Sequence, residues 1–376
     1  VSESNKQTAK ARSPWWAKVM VVVGAMVMLA AGGGAVATQV SVDLVNNAVN
    51  NEQLLPDQPA VEADAGSDLE GPLNFLVLGV DEQGDGRRSD TTIIVHVNAE
   101  LDDVTIVSLP RDLLVDIETC DPACSTKLTS AFAGGDDRSD GFANSAQTVT
   151  DLTGVHWDGA MIANFEGFID LVDELGTIEL CPWHEITSIH GDRRTYPEGC
   201  AEYNQEEALD LVRQRYGWDW DSDWEEGRGG DYGRQKMQQQ AIMGILNKAK
   251  ELGYHKNPTK AVKLLNGFGE KLTVDLGGMQ LADLIVAMRE VDPARMTAIR
   301  TPSTTQEING TSYVVIGEGT EHQTASEALW AALRSDTLDQ WECQYPEYIN
   351  SDSKPACATA TETASADGGP SEPAAG

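Results

Sequence analysis

Residues 19–37 contain no charged side chain. As a helix rising about 1.5 Å per residue, the run would just cross the roughly 30 Å hydrocarbon core of a bilayer, so it predicts a membrane anchor. Lys6, Lys10, Arg12 and Lys18 precede it with Glu3 opposing them, while Asp43, Glu52, Asp57, Glu62 and Asp64 follow. Cytoplasmic flanks carry the excess of Lys and Arg, which places residues 1–18 in the cytoplasm and everything beyond residue 37 outside it. Trp15 and Trp16 stand where an interfacial aromatic belt belongs. Ala35-Val36-Ala37 has the small residues of a cleavage site, but the apolar stretch is long for a signal peptide, and an uncleaved signal-anchor is expected.

An external location sets the redox chemistry. Cys120, Cys124, Cys181, Cys200, Cys343 and Cys357 all follow the anchor, and an even number of cysteines in an oxidising compartment is expected to form disulfides. Connectivity is open; pairing nearest neighbours, Cys120 with Cys124, Cys181 with Cys200 and Cys343 with Cys357, is the simplest scheme. With 60 acidic against 27 basic residues the chain carries a net charge of −33. That surface repels nucleic acid, which is excluded as a partner. Any cluster of arginines in so anionic a chain then requires a local explanation.

Residues 38–71 are rich in Asn, Gln, Asp, Ala and Pro without sustained apolar periodicity and read as a stalk. Residues 73–80 form a nearly continuous apolar run ended by Asp81, the pattern of a strand covered on both faces. Two further strands are expected at 91–97 and 104–109, rich in β-branched residues and joined by a turn over 98–103. Apolar residues recur at helical spacing in 165–175 and 235–252. Alternating strands and helices with no second core predict one α/β domain over 72–340. Residues 341–376 form a C-terminal segment that ends, from 358, in a disordered tail of Ala, Thr, Ser, Gly and Pro.

Four charged islands interrupt this pattern. Asp81 at a strand end leads into the glycine-punctuated loop Gly84-Asp85-Gly86-Arg87-Arg88-Ser89-Asp90; Leu109-Pro110-Arg111-Asp112 follows another strand. Arg213-Gln214-Arg215 ends the helical stretch 204–212, and Asp231-Tyr232-Gly233-Arg234 precedes the long helix. Two aspartates at facing ends of adjacent strands suit a hard divalent cation, which takes a few carboxylate oxygens together with substrate phosphate. Arginines around it would grip phosphate bidentately. Their concentration in these islands points to a convergent anion site.

Asn74-Phe75-Leu76-Val77-Leu78-Gly79-Val80-Asp81, Arg88-Ser89-Asp90-Thr91, Ser108-Leu109-Pro110-Arg111-Asp112 and Asp231-Tyr232-Gly233-Arg234, in that order, resemble the motifs of the LytR-CpsA-Psr family. The likeness is dense from residue 73 to about 248 and looser to about 338. It implies a three-layer α/β/α sandwich with a central mixed sheet and a hydrophobic pocket for a polyprenyl lipid. Also implied is a Mg2+ (or Mn2+) ion held by Asp81 and Asp90, and a pyrophosphate site made by Arg87, Arg88, Arg111, Arg213, Arg215, Arg234 and Gln238, with Asp81, Asp90, Arg88 and Arg111 catalytic. Gln83 and Met237 stand where the family usually has arginines, and residues 218–226 lengthen the loop before Arg234. The implied reaction takes a glycan from a polyprenyl-pyrophosphate carrier to a hydroxyl of peptidoglycan or of a surface protein, at the membrane of a cell with a Gram-positive type of wall. A pyrophosphate hydrolase and a non-catalytic binder of lipid or wall polymer are the alternatives.

Overall fold

Leu73, Phe75 and Val77 pack into one apolar cluster while Leu76, Leu78 and Val80 pack into another, so the strand that carries them is dry on both faces. This burial makes it the centre of a sheet with a layer of helices on either side. The computed structural model describes residues 50–55, 69–81, 88–120, 123–135, 137–163, 165–190, 193–218, 229–254, 272–288, 291–350 and 357. The anchor and cytoplasmic segment, most of the stalk, the tail from 358, Gln83, Arg87 and most of the 218–226 insert lie outside these residues. Among the described residues no helix is long and apolar enough to cross a membrane.

The main sheet has seven strands: β1 (Asn50–Asn51), β2 (Leu73–Asp81), β3 (Arg88–Val97), β4 (Val104–Leu109), β5 (Gly159–Ala163), β6 (Leu272–Asp275) and β7 (Thr297–Arg300). Their spatial order is β1-β6-β5-β2-β3-β4-β7. An antiparallel meander of β2, β3 and β4 forms the middle, flanked by β5 parallel to β2 and β7 parallel to β4, so the sheet is mixed as expected. The helices are α1 (Arg138–Thr153), α2 (Phe165–Leu175), α3 (Gln205–Arg213), α4 (Asp231–Glu251), α5 (Leu281–Ala287), α6 (Glu321–Ser335) and α7 (Leu338–Gln344). Helices α2 to α5 contribute Phe168, Leu209, Ile242 and Leu284 to the first cluster; α1, α6 and α7 contribute Phe142, Leu329 and Trp341 to the second.

Two elements start earlier than their sequence patterns indicate. Strand β3 begins at Arg88, three residues before the β-branched run, because it carries a bulge. Gly79 faces Thr91 and Val80 faces Ser89, leaving Asp90 as an extra residue without a partner on β2. Helix α4 begins at Asp231, and its first turns conceal their helical nature because they bury polar rather than apolar side chains. Arg234, Gln235, Lys236, Gln238, Gln239 and Gln240 are all buried. Helix α3 opens on a reciprocal cap in which Asn204 accepts from the Glu207 N–H and Glu207 accepts from the Asn204 N–H.

All three disulfides join nearest neighbours: Cys120–Cys124, Cys181–Cys200 and Cys343–Cys357. Beyond residue 340 the chain stays packed, with Trp341 and Tyr348 in the second cluster and the Asn350 N–H donating to the Ala298 carbonyl at the edge of β7.

Helix α4 crosses the short strand Ile178–Leu180 so closely that a Cβ on Gly244 would lie 2.6 Å from the Glu179 carbonyl oxygen. Replacing an interior helical glycine with alanine ordinarily gains about 1 kcal/mol, but overpacking against backbone costs about 1–3 kcal/mol. Gly244→Ala is therefore expected to lower the urea midpoint, by a net of about 1 kcal/mol, and Gly244→Leu to lower it further. A raised midpoint for the alanine variant would show that the helix moves away freely.

Candidate active site

The bulge in β3 turns Asp90 inward at the end of the sheet where the four charged islands meet. Its Oδ1 accepts from Arg111 Nη1 at 2.7 Å and from Thr129 Oγ1 at 3.2 Å, and its backbone carbonyl accepts from Arg234 Nη2 at 3.3 Å. Arg111 is in place because Pro110 ends β4 and the Thr129 N–H then donates to the Arg111 carbonyl, folding a 3-10 helix (Leu128–Gly134) beneath it. Arg234 is fixed by its own helix: Asp231, one turn earlier, lies 2.7 Å from its Nη2 and also suits the positive N-terminal end of α4.

These contacts close into a ring. Asp90 pairs with Arg111, Arg111 Nε lies 3.7 Å from Asp112, and Asp112 meets Arg215 Nη2 at 3.4 Å. Arg215 Nε then lies 3.6 Å from Asp231, and Arg234 returns from Asp231 to the Asp90 carbonyl. Lys127 adds a further cation, 2.9 Å from Asp112 Oδ1. Three aspartates thus hold three arginines in a low-dielectric pocket, where each depends on the others to offset its desolvation.

The titration tendencies follow from that burial. Desolvation pushes the Asp90 carboxyl up, against the pull of Arg111 and Arg234. Arg234 is lowered, first by burial and then by Arg111 and Arg215, with Asp231 and Asp90 opposing. Because a guanidinium does not give up its proton in a protein, Arg234 is a cation that one more anion would stabilise. Burial also works against charge at Arg111 and Asp112, but their partners outweigh it: the three aspartates raise Arg111, and Lys127, Arg111 and Arg215 lower Asp112.

Five buried donors in this region, Ser89 Oγ, Thr91 Oγ1, Arg111 Nε, Arg234 Nε and Gln238 Nε2, have no hydrogen-bond acceptor among the described residues, against two acceptors, Gln235 Oε1 and Asp231 Oδ1. Buried polar atoms are nearly always satisfied, so a surplus of donors marks a place built for oxygens that the protein itself does not supply. Helix α4 extends the pattern along one face. Arg234 and Gln238 head a stripe that continues through Met237, Ala241 and Ile245 into the first apolar cluster.

Of the expected site residues, the structure brings Asp90, Arg111, Arg215 and Arg234 into contact and sets Gln238, buried, one turn beyond Arg234. Arg213 is the half-buried last residue of α3. Arg88 is exposed at the first position of β3, in register with Asp81. The Asp81 side chain and the whole of Arg87 lie outside the described structure. Met237 is fully buried in the first apolar cluster, so this departure from the family's arginines serves the core. Residues assigned no role from sequence complete the ring: Asp112, Asp231, Lys127 and Thr129. Their available signal was adjacency, Asp112 directly after Arg111 and Asp231 one helical turn before Arg234.

Fold and site together define a three-layer α/β/α domain with a buried, arginine-rich pocket. The chain belongs to the LytR_cpsA_psr family, whose sequence profile matches residues 38–329. Among its relatives, the polyisoprenyl-teichoic acid–peptidoglycan teichoic acid transferase TagU of Bacillus subtilis (strain 168) is 33% identical over 178 residues, 47% of this chain and 52% of that protein. Proteins of the same name from Enterococcus faecalis (strain ATCC 700802 / V583) and Bacillus cereus (strain AH820) are 31% and 29% identical over 54% and 60% of this chain. The matches span 62% and 69% of those two proteins. TagT bound to LI-WTA shares the fold with a TM-score of 0.54 at 20% identity, over 75% of this chain and 98% of that one. The protein gbs0355 of Streptococcus agalactiae shares it with a TM-score of 0.55 at 23% identity, over 70% and 88%.

Removing one member of the ring strands its neighbours. Arg111→Ala leaves Asp90, whose side chain is 9% exposed, without its shortest ion pair, and is expected to destabilise the fold by about 3 kcal/mol. The double variant Asp90→Ala/Arg111→Ala should be destabilised by clearly less than the sum of the two single changes. Urea denaturation of all four proteins checks this, and strict additivity would contradict the ring.

Proposed function

We propose that the protein is a glycopolymer phosphotransferase. It takes a glycan from a polyprenyl-pyrophosphate carrier and joins it through a phosphodiester to a hydroxyl of peptidoglycan or of a surface protein. The observation that carries this reading is the surplus of buried donors around the arginine ring. Pyrophosphate is rich in acceptor oxygens and carries charge that offsets the desolvation of Arg111 and Arg234. The α4 stripe supports a lipid-linked donor, since polar groups in its first turns and apolar groups beyond match an amphiphile with an anionic head and an isoprenoid tail. The names of the TagU relatives supply the class of donor and acceptor.

In the proposed reaction the acceptor oxygen attacks the sugar-side phosphorus, and the bond from that phosphorus to the bridging oxygen breaks. Polyprenyl phosphate departs with the electron pair. Such chemistry asks for positioning and charge neutralisation rather than covalent help. Asp90, Asp112 and Asp231 hold the guanidiniums before the substrate arrives, so donors meet the developing charge without reorganising.

A divalent cation, Mg2+ or Mn2+, is part of the proposal. Among the described contacts both donors to Asp90 use Oδ1, which leaves Oδ2 for a hard cation, and the raised carboxyl would be relieved by one. Asp81, at the end of the neighbouring strand, is the second ligand expected from sequence. When bound, such an ion draws charge from the phosphate oxygens. The chain is further proposed to sit in the cell membrane through residues 19–37, with the catalytic domain outside.

Incubation of the purified protein with a polyprenyl-pyrophosphate-linked glycan tests the reading. Release of lipid phosphate is expected only when an acceptor is present, and Arg111→Ala is expected to reduce it by about 10²-fold or more. Release without acceptor would identify a hydrolase, and tight binding with no release a binder; either result contradicts the proposal.

A further inference from the structure

The Cys181–Cys200 disulfide closes an excursion that the arginine ring does not use. Inside it, Ile186–Thr187 pairs with Thr195–Tyr196 as a short hairpin, and Ser188 donates to Asp210 of α3 and Tyr196 to the other oxygen of the same carboxylate. Gln214 completes the docking: its Oε1 accepts from the Ile189 N–H at 3.3 Å and its Nε2 donates to the Thr187 carbonyl at 3.4 Å. The hairpin tip is thus pinned to the end of α3, where Arg213 and Arg215 leave the helix. His190 sits at this tip, its ring hydrogen-bonded to the Arg213 backbone.

The other ring nitrogen is the unusual feature. His190 Nε2 is shut off from solvent and has no hydrogen-bond partner among the described residues, so the bond to the Arg213 carbonyl belongs to Nδ1, which must carry the proton. That tautomer leaves an Nε2 lone pair with nothing from the described protein to bind it, beside an arginine two residues from the ring member Arg215. We propose that His190 Nε2 accepts the proton of the attacking hydroxyl. The assignment rests on the transferase reading and names the group that this reading otherwise lacks.

Charge supplies the timing. Burial first, and then the Arg213 cation, hold His190 below the ordinary imidazole value, with Asp210 on the same helix pulling the other way. The empty site therefore keeps the ring neutral, the form in which Nε2 can take a proton. Phosphate oxygens arriving at Arg213 cancel its field and make the imidazole more basic, so the base strengthens only when a donor is in place. The step balances: the hydroxyl proton moves to Nε2, the new oxygen–phosphorus bond forms as the bridging bond breaks, and the imidazolium then returns its proton to the departing lipid phosphate.

His190→Gln separates this role from a structural one. For the wild type, kcat/KM should fall on the acid side with a midpoint below the ordinary histidine value, and the midpoint in kcat should lie higher because the donor is bound. The glutamine variant should lose about 10²-fold in kcat, keep its donor KM within about twofold, and lack the acid limb. A second readout needs no turnover: 15N spectra of the histidine-labelled full chain in detergent should show the Nδ1–H tautomer, with a titration midpoint that rises on adding inorganic pyrophosphate. Wild-type kcat and pH profile in His190→Gln, or a midpoint indifferent to saturating pyrophosphate, would overturn the assignment. A wild type that turns over no donor with any acceptor would instead overturn the transferase reading, and the titration would then decide alone whether His190 senses an anion at Arg213.

Discussion

The contact between Asp90 and Arg111 organises everything around it. A carboxylate and a guanidinium 2.7 Å apart, both largely buried, are expensive to desolvate and are retained only when further hydrogen bonds and charges share the burden. Thr129, Arg234, Asp231, Arg215 and Asp112 do so here, and each comes from a different place along the chain. The fold has to bring the start of β3, the end of β4, the end of α3 and the first turn of α4 to one point before that contact is tolerable. A bulge, a proline after a strand and a polar helix start are the local devices that achieve it. None of them favours stability by itself; together they keep a cationic pocket assembled in a strongly anionic molecule.

Much of this was legible in the sequence, and the parts that were not share a physical cause. Residues 73–80 and 104–109 declared their strands because both faces are buried and the side chains are apolar, and 165–175 showed its helix through a regular stripe. The early starts of β3 and α4 were hidden because burial there falls on Ser89, Asp90, Arg234 and Gln238, which patterns of apolar residues cannot register. For the same reason the site was found as a set of arginines and one well-placed aspartate, while Asp112 and Asp231, which hold those arginines, looked like ordinary surface charge. Position 237 shows the converse: where the family's arginine is replaced by Met237, the side chain joins the apolar layer.

The cysteines make a related point. Sequence reasoning left their pairing open, and the observed nearest-neighbour links are of different kinds. Cys343–Cys357 ties the chain beyond α7 back onto a segment that already packs Trp341 and Tyr348 into the core. Cys181–Cys200 instead closes a hairpin whose apolar contribution is small and whose tip reaches the arginines. A cross-link that holds a loop against a charged pocket has its value in placement more than in stability.

The central claim is that the ring and its unmatched donors form a binding site for a diphosphate. Titrating inorganic pyrophosphate into the wild-type protein and into Arg234→Met, by calorimetry at fixed ionic strength, tests it most directly. One saturable site in the wild type, weakened by about 10²-fold in the variant as expected for a lost charge-assisted pair, is the predicted result. Equal affinity in the two proteins, or no binding to either, would contradict it.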